Sequence, residues 1–225
     1  MLKSLAFSVS KFAFTAIMVL FAVGQHNYAL CQNDVASSPK MTIRALPADT
    51  LYWYGVDFSK VIIYDYQITP HKDQIKSSLC PSWLGVVRQL VKPYLLPKKM
   101  GSKVVIDKSL KSLESCNYID IENAVALDGV EELSLKTIEK ELIVLQLDES
   151  SGIGFIIYVS KISRTNRNTE VIGVFFQIND RRVVFQFSGK GKLKDGQDPK
   201  LIGESISNGI KKGINFYKNH VLNNF

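Results

Sequence analysis

Residues able to do chemistry are sparse in this chain of 225 residues. The densest group is aromatic: Tyr52, Trp53, Tyr54 and Phe58, with Asp57 set among them. Rings at that density suit a ligand groove or a partner surface, because they combine large contact area with a polar edge. They equally suit core and strand-edge packing, with Asp57 capping a turn. Tyr52, Trp53, Tyr54 and Asp57 are therefore the candidates for ligand binding. A second group, Gly189-Lys-Gly-Lys-Leu-Lys194, sets Lys190, Lys192 and Lys194 beside two glycines. Backbone N–H groups and lysine charge can together hold a phosphate or sulfate. The segment does not follow the P-loop pattern, and its bland reading is the solvated end of a strand.

Catalytic spacing is not found. His71 and His220 are the histidines beyond the first 31 residues, and neither is spaced from another His, Cys or carboxylate as a metal site requires. Gly203-Glu-Ser-Ile-Ser207 misses the Gly-x-Ser-x-Gly nucleophile turn, and Gly152-Ile-Gly154 precedes a strand where a dinucleotide fingerprint would follow one. The expectation is no catalytic residues, no metal and no cofactor. Cys80 and Cys116 are too far apart for a C-x-x-C redox pair or a zinc knuckle. Two readings stand, a disulfide closing a long loop and a pair of buried free thiols.

The amino terminus decides which compartment those thiols meet. Lys3 and Lys11 precede the apolar run Phe12–Gly24. Its 13 residues span roughly 20 Å as a helix, short of a bilayer core of about 30 Å. With Ala29-Leu30-Cys31 behind it, the segment 1–31 reads as a cleavable signal peptide. The alternatives are an uncleaved anchor and a lipoprotein acylated at Cys31, where Leu30 is larger than a lipoprotein peptidase prefers. Localisation is then periplasmic or extracellular, and no later run is long enough to span a membrane. The whole chain has 28 basic and 21 acidic residues, for +7. Two of those lysines leave with the leader, so the remainder is mildly basic. Basic charge favours anionic partners, but export removes intracellular nucleic acid from them. An envelope protein or a small ligand remains, and the expected function is non-enzymatic ligand or partner binding at the cell envelope, with an envelope enzyme or a structural component of an envelope assembly as the alternatives.

The elements that must position these groups follow from periodicity. Residues 32–44 read as a flexible leader and 45–225 as one domain. Leu51–Asp65 is β-branched and aromatic, with Gly55 and Asp57–Ser59 marking a bulge or bend. Pro81–Lys92 shows helical spacing with Pro81 at its first position. A short strand is expected at Lys103–Asp107, and 108–133 gives mixed signals. Ser134–Leu145 reads as a second helix. Gly154–Ile162, Glu170–Ile178 and Val183–Phe187 read as an antiparallel meander, with Asn and Asp supplying positive φ in its turns. A long helix, Pro199–Val221, closes the chain. Ile202, Ile206, Ile210, Ile214, Tyr217 and Val221 share one face, with Ser205, Gly209 and Gly213 on or near it. The fold class is α+β: a mainly antiparallel sheet with a C-terminal three-stranded meander, packed against two or three helices.

Trp53-Tyr-Gly-Val-Asp-Phe-Ser-Lys-Val61, Gly152-Ile-Gly154 with the run to Val159, Val174-Phe-Phe-Gln-Ile178 and Arg182–Gly191 carry a resemblance. The chain resembles a group of uncharacterised secreted proteins of Bacteroidetes-type bacteria, in which a W-x-G-x-D-F-[ST] strand opens the domain. The resemblance covers about residues 45–220 and implies bacterial export and an α+β layout. It brings no assigned activity and no catalytic residues. At Asp195–Pro199 the chain departs from the glycine- and aromatic-rich approach expected there.

Overall fold

β-Branched and aromatic residues dominate six segments, and all six are strands: β1 (Thr50–Asp57), β2 (Ile62–Tyr64), β3 (Val104–Asp107), β4 (Ile153–Ser163), β5 (Asn168–Gln177) and β6 (Val183–Lys192). The computed structural model describes residues 49–64, 72–93, 96–125, 133–196 and 198–221. These lie in the unit Thr42–Phe225. The expected signal peptide 1–31, the leader 32–44, Cys31 and His71 fall outside the described residues. Among the described residues, a single helical turn, Lys72–Gln74, and the helices α1 (Cys80–Leu90), α2 (Leu96–Met100), α3 (Ile121–Ala124), α4 (Leu135–Val144) and α5 (Pro199–His220) accompany the strands. A π-helical turn, Ile75–Leu79, leads into α1, and the mixed-signal region contains a 3-10 segment, Ser109–Tyr118.

The strands form one mixed sheet in the order β3-β1-β4-β5-β6, with β2 also paired to β4. β4, β5 and β6 are the antiparallel meander, while β1 runs parallel to both β3 and β4. β1 and β2 lie one after the other along the same edge of β4. The turn between them is closed by Ser59 N donating to Asp57 Oδ1 at 2.6 Å and Val61 N donating to the Phe58 carbonyl at 3.1 Å. Gly55, at φ 89°, sits where the β1 register shifts between Trp53 and Val56. In the meander turns, positive φ falls on Arg167 and Arg181 rather than on their Asn and Asp neighbours. Those neighbours serve the turns otherwise: Asp180 Oδ1 accepts from Arg182 N at 3.1 Å, and Asn166 N donates to Ser163 Oγ at 3.0 Å.

Side-chain alternation gives the sheet two faces. The larger core joins Leu51, Trp53, Phe155, Ile157, Val171, Phe175 and Phe187 to α1 and α5. The six residues assigned to one face of α5 are all buried there. The smaller core lies on the other face, where Ile138 and Leu142 of α4 cover Tyr54, Ile156, Tyr158, Val174 and Phe176. The helix starts are capped as their sequences allow. Ser134 Oγ accepts from Thr137 N at 3.2 Å, and Asp198 Oδ1 accepts from Lys200 N at 2.8 Å.

α5 approaches β6 closely because neither partner carries side-chain bulk at the crossing. A methyl group on Gly189 would lie 2.9 Å from the Gly209 carbonyl carbon and 3.1 Å from Gly213 N. Beside it, the hydroxyls of Thr169 and Ser205 meet at 2.9 Å in the buried interface. The glycines whose helix propensity costs roughly 1 kcal/mol each are the ones that let the two backbones meet.

Candidate functional site

Strand alternation divides the aromatic set. Tyr52 and Tyr54 point to the α4 face, and Trp53 points to the α1–α5 face, where its ring lies 5.0 Å from that of Phe155. Phe58 is fully buried against Trp83 at 6.3 Å. The four ligand-binding candidates therefore do not line one groove. Tyr54 instead anchors a polar link across the smaller core. Its hydroxyl donates to Glu149 Oε2 at 2.6 Å, and Lys108 Nζ lies 2.5 Å from Glu149 Oε1. Burial first, and then the bond to Glu149, hold the Tyr54 hydroxyl well above the ordinary phenol range. Burial alone would raise the Glu149 carboxyl, but the bonds from Lys108 and Tyr54 outweigh it and hold it below the usual range.

Asp57 ends β1 opposite Tyr158 of β4. Desolvation raises its carboxyl above the usual range, the Ser59 hydrogen bonds work against that shift, and Glu141 adds to it. Glu141 belongs to α4 and pairs with Lys60 at 3.0 Å. Tyr158 is 2% exposed, and burial followed by Asp57 and Glu141 pushes its hydroxyl far up. Two carboxylates, one ammonium and one phenol thus gather where α4 meets the end of β1. Sequence spacing could not show this, because Glu141 and Tyr158 come from elements that only the fold brings to Asp57.

The lysine segment belongs to β6, which runs on to Lys192 rather than ending at Phe187. Alternation sends Gly189 and Gly191 toward α5, and Lys190 and Lys192 to the opposite, exposed side of the strand; Lys194, also exposed, lies two residues past its end. An extended strand points successive N–H groups to opposite edges, so the backbone N–H groups of Gly189 and Lys190 do not point the same way. Lys190 Nζ lies 3.0 Å from Glu170 Oε1 on the neighbouring strand, and Lys194 Nζ lies 3.9 Å from Glu204.

α4 packs over β1, the Ile156–Tyr158 part of β4 and the Val174–Phe176 part of β5. Beyond it, a cavity of about 270 Å³ opens over β4, β5 and β6. Ser160, Glu170, Ser188 and Lys190 line it over a floor that includes Ile172. Lys161 joins them, its ammonium 5.0 Å from the centre of the Tyr64 ring. Ser160 Oγ donates to the Glu170 carbonyl at 3.2 Å. The cavity therefore presents both signs of charge and two hydroxyls on a rigid sheet. Of its lining, the sequence pattern points to Lys190 alone. Glu170 pairs with Lys190 and Ile172 with Ser188, while Ser160 lies in the register shift of β4 between Val159 and Lys161, so their meeting needs the strand register to be read.

Cys80 at the start of α1 and Cys116 in the 3-10 segment are bonded, with Sγ–Sγ 2.05 Å and Cα atoms 5.7 Å apart. His220 is the last residue of α5. Among the described residues, no group of three or more His, Cys, Asp or Glu is placed to hold a metal ion. Among the same residues no helix is long and apolar enough to cross a membrane. Compared with protein-family models, curated proteins and solved structures, the chain finds no match.

Proposed function

We propose that this chain is an exported, non-enzymatic binding domain of a bacterial cell envelope, holding a small polar ligand or a partner's polar loop over the open half of the α4 face. The observation that carries the reading is the cavity over β4–β6. Its floor is rigid sheet, and Ser160, Ser188, Glu170, Lys161 and Lys190 converge on it. Few converging polar groups over an apolar floor are what orient a small ligand. The export component rests on residues 1–31 and on the resemblance to secreted Bacteroidetes-type proteins.

Amide-resolved NMR on the chain from Gln32 onward tests this, with amino acids, dipeptides and N-acetylated amino sugars as probes. Saturable shifts at Ser160, Glu170, Ser188 and Lys190, lost in the Glu170→Gln/Lys190→Gln variant, support it. The second reading is an envelope enzyme, and the Asp57–Tyr158–Glu141 cluster favours it, since perturbed titrating groups concentrate at active sites. Asp57 does not line the cavity over β4–β6, which favours binding over catalysis. Turnover of ester, phosphoester or glycoside substrates that disappears in Asp57→Asn would replace the binding reading with the enzymatic one.

A further inference from the structure

A second cleft lies on the opposite face of the sheet, independent of the cavity over β4–β6. It has a volume of about 180 Å³ and sits between the carboxyl end of α1 and the paired strands β1 and β3. Trp53 and Val56 of β1 and Leu84, Val87 and Val91 of α1 and its end give it an apolar wall. All five are buried residues. Arg88, in the last turn of α1, and Lys92, two residues past its end, line the cleft together with Asp107 and Ser109.

The cleft exists because of the β1 bulge. Between Trp53 and Val56 the register of β1 shifts, and Gly55 takes φ 89°. β3 ends at Asp107, where its pairing with β1 reaches Trp53. The strand bends away from its neighbour at the place where the sheet runs out, leaving room beneath α1. Bulges recur beside functional sites for this reason.

Charge at the rim is unbalanced. Among the described residues neither Arg88 nor Lys92 pairs with a carboxylate, and α1 itself carries no acid. The one carboxylate in the lining, Asp107, already accepts from Ser109 N at 2.8 Å through Oδ1. The helix end contributes about half a negative charge, and part of it is answered by Val91 N donating to the Val87 carbonyl at 2.7 Å. Two full cations against one engaged carboxylate and a fraction of a charge leave a positive excess over an apolar wall.

We infer that this cleft binds an amphiphilic carboxylate: a short apolar chain or small ring lying against Trp53, Val56 and Val87, with its carboxylate held by Arg88 and Lys92. Arg88 gives a planar fork of donors suited to a carboxylate, and Lys92 a point charge beside it. A free inorganic anion would leave the apolar wall uncovered, and a neutral amphiphile would leave both cations unanswered. The selectivity therefore needs both halves of the ligand.

The test uses hexanoate, hexanamide and acetate as probes on the chain from Gln32 onward. Amide shifts of Gly55, Val56 and Val91 and the indole signal of Trp53 report the cleft. Hexanoate should shift these saturably, with hexanamide and acetate at least roughly tenfold weaker, because each lacks one half of the recognition. Arg88→Gln and Lys92→Gln, at the cleft rim, should each weaken hexanoate by roughly threefold to tenfold without altering the far-UV spectrum. Three results overturn the assignment. One is hexanamide binding as tightly as hexanoate. Another is unchanged affinity in the Arg88→Gln/Lys92→Gln variant. The third is no saturable shift of the cleft signals at all.

Discussion

Gly191→Ala is the substitution on which local and tertiary physics disagree most sharply. Gly191 lies in β6, where backbone entropy alone says alanine should be better by roughly 0.5–1 kcal/mol. The packing says the reverse. A Cβ at this position would lie 2.6 Å from the Ser205 carbonyl carbon, nearer still to its oxygen, and 2.8 Å from Thr169 Oγ1. Carbon contacts relax at about 3.5–4.0 Å, so α5 must lift by roughly 1 Å. A gap of that size forfeits about a quarter to a half of each dispersion contact it opens. Ile206 and Ile210 are fully buried beneath this crossing. With 40–60 such contacts per side chain at about 0.1–0.2 kcal/mol each, a quarter lost from both is roughly 2–6 kcal/mol. A net cost near 3 kcal/mol is expected, at the upper end for overpacking. Urea unfolding followed by circular dichroism reads it as a midpoint about 1.5 M lower, for a slope near 2 kcal/mol per molar. Gly85→Ala is the control. It sits inside α1 with nothing within 4 Å of the added methyl, and should raise stability by roughly 0.5–1 kcal/mol. If Gly191→Ala unfolds within about 0.3 M of the parent, or later, the close-approach account of the α5–β6 interface is wrong.

Three further outcomes follow from the same structure. Reducing the Cys80–Cys116 bond, which spans 36 residues, frees loop entropy worth about 4 kcal/mol; denaturant curves with and without reductant, compared with the Cys80→Ser/Cys116→Ser variant, measure it. Asp57→Asn should stabilise the protein at neutral pH. The folded carboxyl titrates above its unfolded counterpart, so its contribution is most favourable below the unfolded value and is lost as pH rises through the folded one. Parent and variant melting temperatures should converge in acid, and an advantage that grows on acidification would refute the sign. Thr169→Val and Ser205→Ala should each cost roughly 1–3 kcal/mol by orphaning a buried hydroxyl. The double variant should cost less than the sum of the two, which a double-mutant cycle resolves.

What the sequence made legible was whatever one face of one element decides. The α5 stripe from Ile202 to Val221 could be read because a helix buried on one side must repeat at its own period. The meander could be read because its strands are apolar and bounded by polar turns, and the pause at Asp57–Ser59 because an Asx turn needs only neighbouring residues. The α+β class followed from these. The same period-two rule, applied strictly along β1, separates Trp53 from Tyr52 and Tyr54 on residue order alone. Along β6 it sorts Gly189 and Gly191 from Lys190 and Lys192, giving a small-residue face and a charged face of one strand. The parallel pairing of β1 with β3 and β4 was not legible, since nothing local records which way a neighbour runs.

The candidate sites were less legible than the fold for a physical reason. Each is assembled where elements distant in sequence end or bend. The cleft under α1 needs Trp53, Arg88 and Asp107 together; the aromatic density of β1 marks Trp53, but nothing in its segment joins it to Arg88 or Asp107. Its clue was the glycine that permits the β1 bulge, a backbone feature whose consequence appears only when a helix end lies over it. The two cavities also divide the chemistry. The one over β4–β6 offers mixed charge on a bare sheet, and the one under α1 offers cations over an apolar wall. A single ligand satisfying both would have to reach through the sheet, which the filled cores on either side of β4 exclude. If both sites are occupied in the living cell, they are occupied by different molecules. Coupling between them would then run through β4 and β5, whose paired backbones carry Ile157 and Val171 on one face and Tyr158 and Ile172 on the other. Loading hexanoate while following the Ser160 and Lys190 amides would reveal such coupling directly.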